Sequence, residues 1–157
     1  MTKLRMYLRL DFPRGSAQPG PVRFVAATLI AVFGSVVACW ATSTVTIALI
    51  PSIAGYGHLQ FDDYTRLTVI GVLVASIAWP LVTLVSSRAR RLFLWLAVVV
   101  TIVSLAPDLW ILHQGQPTPG VVALMIMHFA LAVVTYPVIV FGAPQRRHAE
   151  AGIAAAR

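Results

Sequence analysis

The sequence predicts an all-α polytopic membrane protein, a four-transmembrane-helix bundle with both termini in the cytoplasm. Three observations lead to this fold class. Of the 157 residues, 59% are apolar and only 11% are charged, against about 25% charged in a soluble domain. A chain this apolar cannot cover a water-facing surface, so lipid must cover much of it. Four apolar runs are separated by polar or Pro/Gly-rich segments, and about 20 residues suffice to cross a bilayer. The basic residues also fall almost entirely between alternate runs.

Residues 1–23 form a basic tail. Pro13, Pro19 and Pro21, with Gly15 and Gly20, oppose a helix in its second half. The first ten residues alternate Lys3, Arg5 and Arg9 with Leu4, Tyr7, Leu8 and Leu10, which suits either a short interfacial helix or a mobile tail.

The first apolar run, Phe24 to Ile50, is too long for an upright crossing. Trp40 lies about 24 Å along a helix from Phe24, and tryptophan favours the membrane interface. The crossing is therefore expected over 24–43, with 44–60 leaving the membrane or skimming its outer face. An external loop to Arg66 holds His58, Asp62 and Asp63. The second span is expected over 67–85 with a kink at Pro80, and the basic turn Ser86 to Arg91 follows. The third span is expected over 92–107, ending at Pro107. A linker from Asp108 to Pro119 leads to the fourth span over 121–141, within a transmembrane domain of 24–141. The tail 142–157 is basic, then alanine-rich.

Charge placement orients the chain. Lys3, Arg5, Arg9, Arg14 and Arg23 precede span one; Arg88, Arg90 and Arg91 lie between spans two and three; Arg146, Arg147 and Arg157 follow span four. The opposite loops hold only Arg66, with Asp62, Asp63 and Asp108. The positive-rich side is cytoplasmic. A net charge of +7 and a pI of about 10.8 would suggest nucleic acid in a soluble protein. Here the charges sit in short flanks with no continuous basic face, so no nucleic-acid partner is expected; the partner is the lipid bilayer.

The single cysteine, Cys39, excludes an intramolecular disulfide and a thiolate metal cluster. Val36-Val37-Ala38-Cys39 also has the look of a lipoprotein signal, and cleavage there would leave three spans. Against it, the leader is long and the apolar run continues past Cys39.

His128 is the most informative residue. An ionisable group within a span is costly and faces the bundle interior. It suits a proton relay or a ligand contact, or a neutral imidazole satisfied by a neighbour. Ser104 and Thr101 on span three lie at matching heights and are the expected hydrogen-bond partners, tying spans three and four together. Asp108, with Trp110 and His113, suits either a solvated helix end or a polar rim over a pocket, to which Asp62 and Asp63 could add. Ala27, Ala31, Ser35, Cys39 and Ser43 repeat every four residues along span one, and such a small-residue stripe lets another backbone approach closely. It can seat a span of the same chain or a second copy; Gly71 and Ala75 make a shorter version on span two. No spacing suggests a nucleophile with its base, a phosphate loop, a metal or a haem site, so no cofactor is expected.

Trp79 and Leu81 precede the basic turn, then come Trp95, Ser104-Leu105-Ala106-Pro107 and Ala123-Leu124-Met125-Ile126-Met127-His128. This stretch, Val69 to Val140, resembles an actinobacterial family of small four-helix integral membrane proteins of unknown function. Ser-x-x-Pro in span three and Met-His in span four are its most specific elements, and the first half shows no clear match. The resemblance implies a bacterial cytoplasmic membrane and carries no activity to transfer. The expected function is that of a non-enzymatic binding or accessory protein, with a homo-oligomer or another membrane protein as possible partner. The alternatives are a small transporter or channel subunit, and a membrane enzyme acting on a lipid-like substrate through His128.

Overall fold

Four uninterrupted apolar stretches become four long helices in the computed structural model, which describes residues 18–146. These are α1 (Pro21–Leu49), α2 (Phe61–Val85), α3 (Ala89–His113) and α4 (Thr118–Gly142). All four are long and apolar enough to cross a membrane. Two single 3-10 turns, Pro51–Ile53 and Gly57–Leu59, join α1 to α2. The residues expected to form an interfacial stretch (1–10) and most of the C-terminal tail lie outside the described residues.

The helices outrun the expected crossings. α1 continues six residues past Ser43 to Leu49. Nothing in Thr44–Leu49 stops it: the hydroxyls of Thr42 and Thr46 bond back to the carbonyls of Ala38 and Thr42, so polar side chains are satisfied without leaving the helix. Pro51 ends it by disfavouring helical backbone at Ile50. α2 begins at Phe61, so Asp62 and Asp63 are not loop residues; they lie in its first turn, where the helix dipole favours negative charge. α3 outruns its expected end by as much as α1 does. It passes through Pro107 and runs on to His113; apolar helices of membrane-crossing length tolerate proline where neighbours satisfy the freed backbone. What stops it is Gly115, whose φ of 84° supplies the left-handed residue that commonly follows a helix end.

The two ends of the bundle differ in charge. The end with residues 18–20, the α2–α3 turn and residues 143–146 carries Arg23, Arg88, Arg90, Arg91 and Arg146. The end with the 50–60 loop and the α3–α4 turn carries Asp62, Asp63 and nearby Asp108 against Arg66. They are called the basic end and the acidic end below.

α1 packs along α4, and every member of its small-residue stripe is buried within the chain: Ala27, Ala31, Ser35, Cys39 and Ser43. The stripe is not bare. Ser35 shares a hydrogen bond with Thr135 of α4 (3.2 Å), Cys39 with Thr68 of α2 (3.4 Å), and Ser43 donates to the Leu59 carbonyl of the loop (2.9 Å). Near the basic end Gly142 comes so close to α1 that a Cβ there would lie 2.9 Å from the Ala27 Cβ. A second copy could use this stripe only by displacing α4 and α2.

The basic end is a closed plug. Trp79, 0% exposed, packs edge-on against Phe93 at 5.2 Å, and Phe93 stacks on Tyr136 at 5.9 Å. The Trp79 indole N–H donates to the Ala143 carbonyl (2.7 Å), Gln145 donates to the carbonyls of Thr83 and Ser86, and Gln18 donates to the Pro80 carbonyl. The bonds to Thr83, Ser86 and Ala143 fall on carbonyls at or just past helix ends, which have no partner within the helix.

Candidate functional site

α2 and α3 meet at the basic end through a tight turn but pack only lightly on each other farther up. Between them opens a lateral cleft of about 510 Å³, with α4 as its floor. That volume falls within the range of small-molecule pockets, about 300–1,000 Å³. Its walls are apolar and small: Gly71 and Ala75 from α2, Ala97 and Val100 from α3, Leu131 and Ala132 from α4. A Cβ added at Gly71 would meet nothing within 4 Å. The short small-residue pair on α2 therefore seats no helix of this chain; it widens the cleft.

Thr101, Ser104 and His128 line the cleft toward the acidic end. His128 bonds to Ser104, but through the main chain: its Nε2 lies 2.9 Å from the Ser104 carbonyl. The Ser104 hydroxyl turns away to the Thr101 carbonyl (2.8 Å). The expected side-chain bond is thus replaced by a carbonyl contact, since a hydroxyl on a helix finds its own preceding turn more easily than a neighbouring helix. A carbonyl can only accept, so Nε2 carries the hydrogen. The other ring nitrogen, Nδ1, and the Thr101 hydroxyl have no partner and are not sealed from the surroundings.

Asp108 stands behind His128. Its Oδ2 is 3.6 Å from Nε2, and its side chain is only 8% exposed against 32% for His128. The run-on of α3 explains this placement: Asp108 turns inward, while Leu109 and Trp110, 56% and 63% exposed, turn outward. Asp108, Trp110 and His113 therefore do not form a rim, although Trp110 and His113 do contact each other at 6.3 Å. Oδ2 is buried and makes no hydrogen bond. Three other buried polar atoms among the described residues share that condition: Thr28 Oγ1, Thr65 Oγ1 and Tyr56 Oη. Of the four residues, only Asp108 can carry a formal charge at neutral pH.

Tyr56, from the 50–60 loop, covers the site from above. Its ring lies over Gly120, where a Cβ would come within 2.6 Å of it, so only glycine admits the ring. Burial, and then the negative charge of Asp108, hold its phenol above the ordinary tyrosine range. The ring packs edge-on against His58 at 5.4 Å, and His58 pairs with Asp63 at 2.8 Å on the exposed side. Tyr56 and His58 were not singled out from sequence. Only their position in a loop, beside Gly55 and Gly57, hinted at them.

The hydroxyls around the cleft are mostly engaged. Thr135 bonds to Ser35 and Tyr136 donates to the Arg90 carbonyl. Ser104 is held by its own helix. His128 thus has no hydrogen-bonded hydroxyl to activate, and among the described residues no group of three or more His, Cys, Asp or Glu could hold a metal ion.

No curated protein and no solved structure matches the chain. The family match is broader than the sequence resemblance over 69–140, taking in α1 and all four helices: over residues 15–145 the chain matches DUF6069, a family of unknown function, and it belongs to that family.

Proposed function

We propose that this protein is a non-enzymatic membrane binding protein that holds a lipid-like molecule in the cleft between α2, α3 and α4. The carrying observation is the cleft itself: an apolar trough of about 510 Å³ with two unpartnered polar atoms, His128 Nδ1 and Thr101 Oγ1, toward one end. That arrangement suits an apolar chain lying along the trough with a small polar head at His128. The basic end faces the cytoplasm and the acidic end the outside, because eleven of the twelve lysines and arginines flank the cytoplasmic side. The setting is a bacterial cytoplasmic membrane, of the kind found in actinobacteria.

The enzyme reading has less support, because the one unpartnered hydroxyl lining the cleft, Thr101 Oγ1, makes no hydrogen bond to His128 that would activate it as a nucleophile. A transporter or channel subunit would need a polar route, whereas the trough is walled by alanine, glycine, valine and leucine. A partner helix is the second candidate occupant.

Gly71→Leu tests the reading, since the new side chain enters open space. The measurement is mass spectrometry of what co-purifies in mild detergent. We expect a lipid-like species with the wild type and its loss in the variant, at unchanged thermal stability. Equal recovery from both proteins would sink the proposal. Loss of a protein partner instead would assign the cleft to a helix.

A further inference from the structure

We propose that the cleft selects its ligand by head-group charge, taking a long-chain amine in its protonated form and disfavouring carboxylates and phosphates. The inference rests on the lipid-like ligand proposed above and adds the chemistry of its head.

The argument starts from hydrogen placement. His128 Nε2 faces two acceptors, the Ser104 carbonyl at 2.9 Å and Asp108 Oδ2 at 3.6 Å. Nε2 must therefore donate, and in the neutral imidazole Nδ1 is a bare lone pair. A head group at Nδ1 has to bring its own hydrogen. An ammonium does so with three, enough for Nδ1 and the Thr101 hydroxyl together. A carboxylate has none to give.

Charge points the same way. Asp108 is more than nine-tenths buried, Oδ2 has no hydrogen bond, and no Lys or Arg among the described residues pairs with it. Its ionic neighbours are two histidines: His128 at 3.6 Å, whose N–H is spent on a carbonyl, and, acting at longer range, His58, which is already paired with Asp63. A carboxylate removed from water needs a positive partner. With Asp108 ionised, the Asp108–His128 pair is negative, or neutral once His128 takes a second proton. It is never positive. An anionic head would force protons onto both groups, while an ammonium completes the pair as it stands. The surrounding end of the bundle agrees, with Asp62 and Asp63 against Arg66. The arginines that would suit anionic heads, Arg88 and Arg90 among them, lie at the opposite end.

The test uses the full chain in nanodiscs of a zwitterionic lipid. Three photoreactive probes of equal chain length carry a primary amine, an alcohol or a carboxylate, and labelling of cleft peptides is read by mass spectrometry. We expect amine above alcohol above carboxylate, with about a tenfold spread from first to last. Asp108→Asn is expected to flatten the ranking, and Gly71→Leu to abolish labelling by all three. Equal labelling of the wild type by amine and carboxylate, or preference for the carboxylate, overturns the charge selection while leaving the lipid-binding reading intact, provided Gly71→Leu blocks it. Labelling that no probe achieves, or that Gly71→Leu does not reduce, overturns both. The ranking in the wild type decides by itself, so the inference survives a poorly folding Asp108→Asn protein.

Discussion

The two ends of this bundle treat polar groups in opposite ways. At the basic end the Trp79 N–H, Gln145 and Gln18 each find a backbone carbonyl, and the aromatic rings of Trp79, Phe93 and Tyr136 fill the space between α2, α3 and α4. At the acidic end two polar atoms close to each other electrostatically, Asp108 Oδ2 and Tyr56 Oη, are buried without a bond. A buried donor or acceptor left unmade costs about 1–3 kcal/mol. The basic half leaves one such atom, Thr28 Oγ1, whereas the acidic half leaves three: Asp108 Oδ2, Tyr56 Oη and Thr65 Oγ1. On the proposed binding reading, stability and binding would be divided between the ends.

Substitutions at each end can break or sharpen this division. The largest effect is expected from Trp79→Ala, which empties a fully buried site and leaves the Ala143 carbonyl unpaired; it should cost about 3–5 kcal/mol in detergent unfolding experiments. A small loss would mean that the basic end is not the fastening. Next is Gly120→Ala, whose methyl would sit where the Tyr56 ring now lies. Its cost of about 1–3 kcal/mol should appear locally, as faster hydrogen exchange over 51–60 with little change at Trp79. Global unfolding instead would join the two ends into one cooperative unit.

His128→Ala removes the hydrogen bond between α3 and α4 and should cost about 0.6–2 kcal/mol, the range for bonds between membrane helices, while recovery of the proposed ligand should fall much further. If stability and ligand recovery fell in proportion, His128 would be only a strut between α3 and α4. The smallest effect concerns pH. The Tyr56 phenol is raised in the folded protein, so the stability it contributes is complete below the ordinary tyrosine range. That stability is lost as pH rises through the raised value. Loop protection should therefore weaken under alkaline conditions, and Tyr56→Phe should reduce that dependence in a hydrogen-exchange titration.

The helices were legible in the sequence because apolar length is a strong signal, and so was the stripe from Ala27 to Ser43, because a four-residue repeat of small side chains survives any shift of helix ends. The ends themselves were less legible. Pro107 reads as a stop in water-soluble helices, yet α3 passes through it and carries Asp108 inward. That single extension turns a residue expected at a solvated helix end or on a polar rim into the buried neighbour of His128. The pairing of spans three and four at His128 follows from matched heights, but which Ser104 oxygen accepts depends on a local choice between two hydroxyl partners. The role of Tyr56 rests on the close approach to Gly120, a contact between residues 64 positions apart that no local pattern encodes.

The cleft opens sideways, between α2 and α3, rather than toward either loop. For a chain seated in a bilayer this changes what sets occupancy. A ligand arriving from the side never passes through water, so its aqueous solubility is irrelevant. The relevant concentration is its mole fraction among the surrounding lipids, where even a sparingly soluble amphiphile can be abundant. On the proposed lipid-binding reading, a weak intrinsic affinity would then keep the site filled, and occupancy would become a readout of membrane composition.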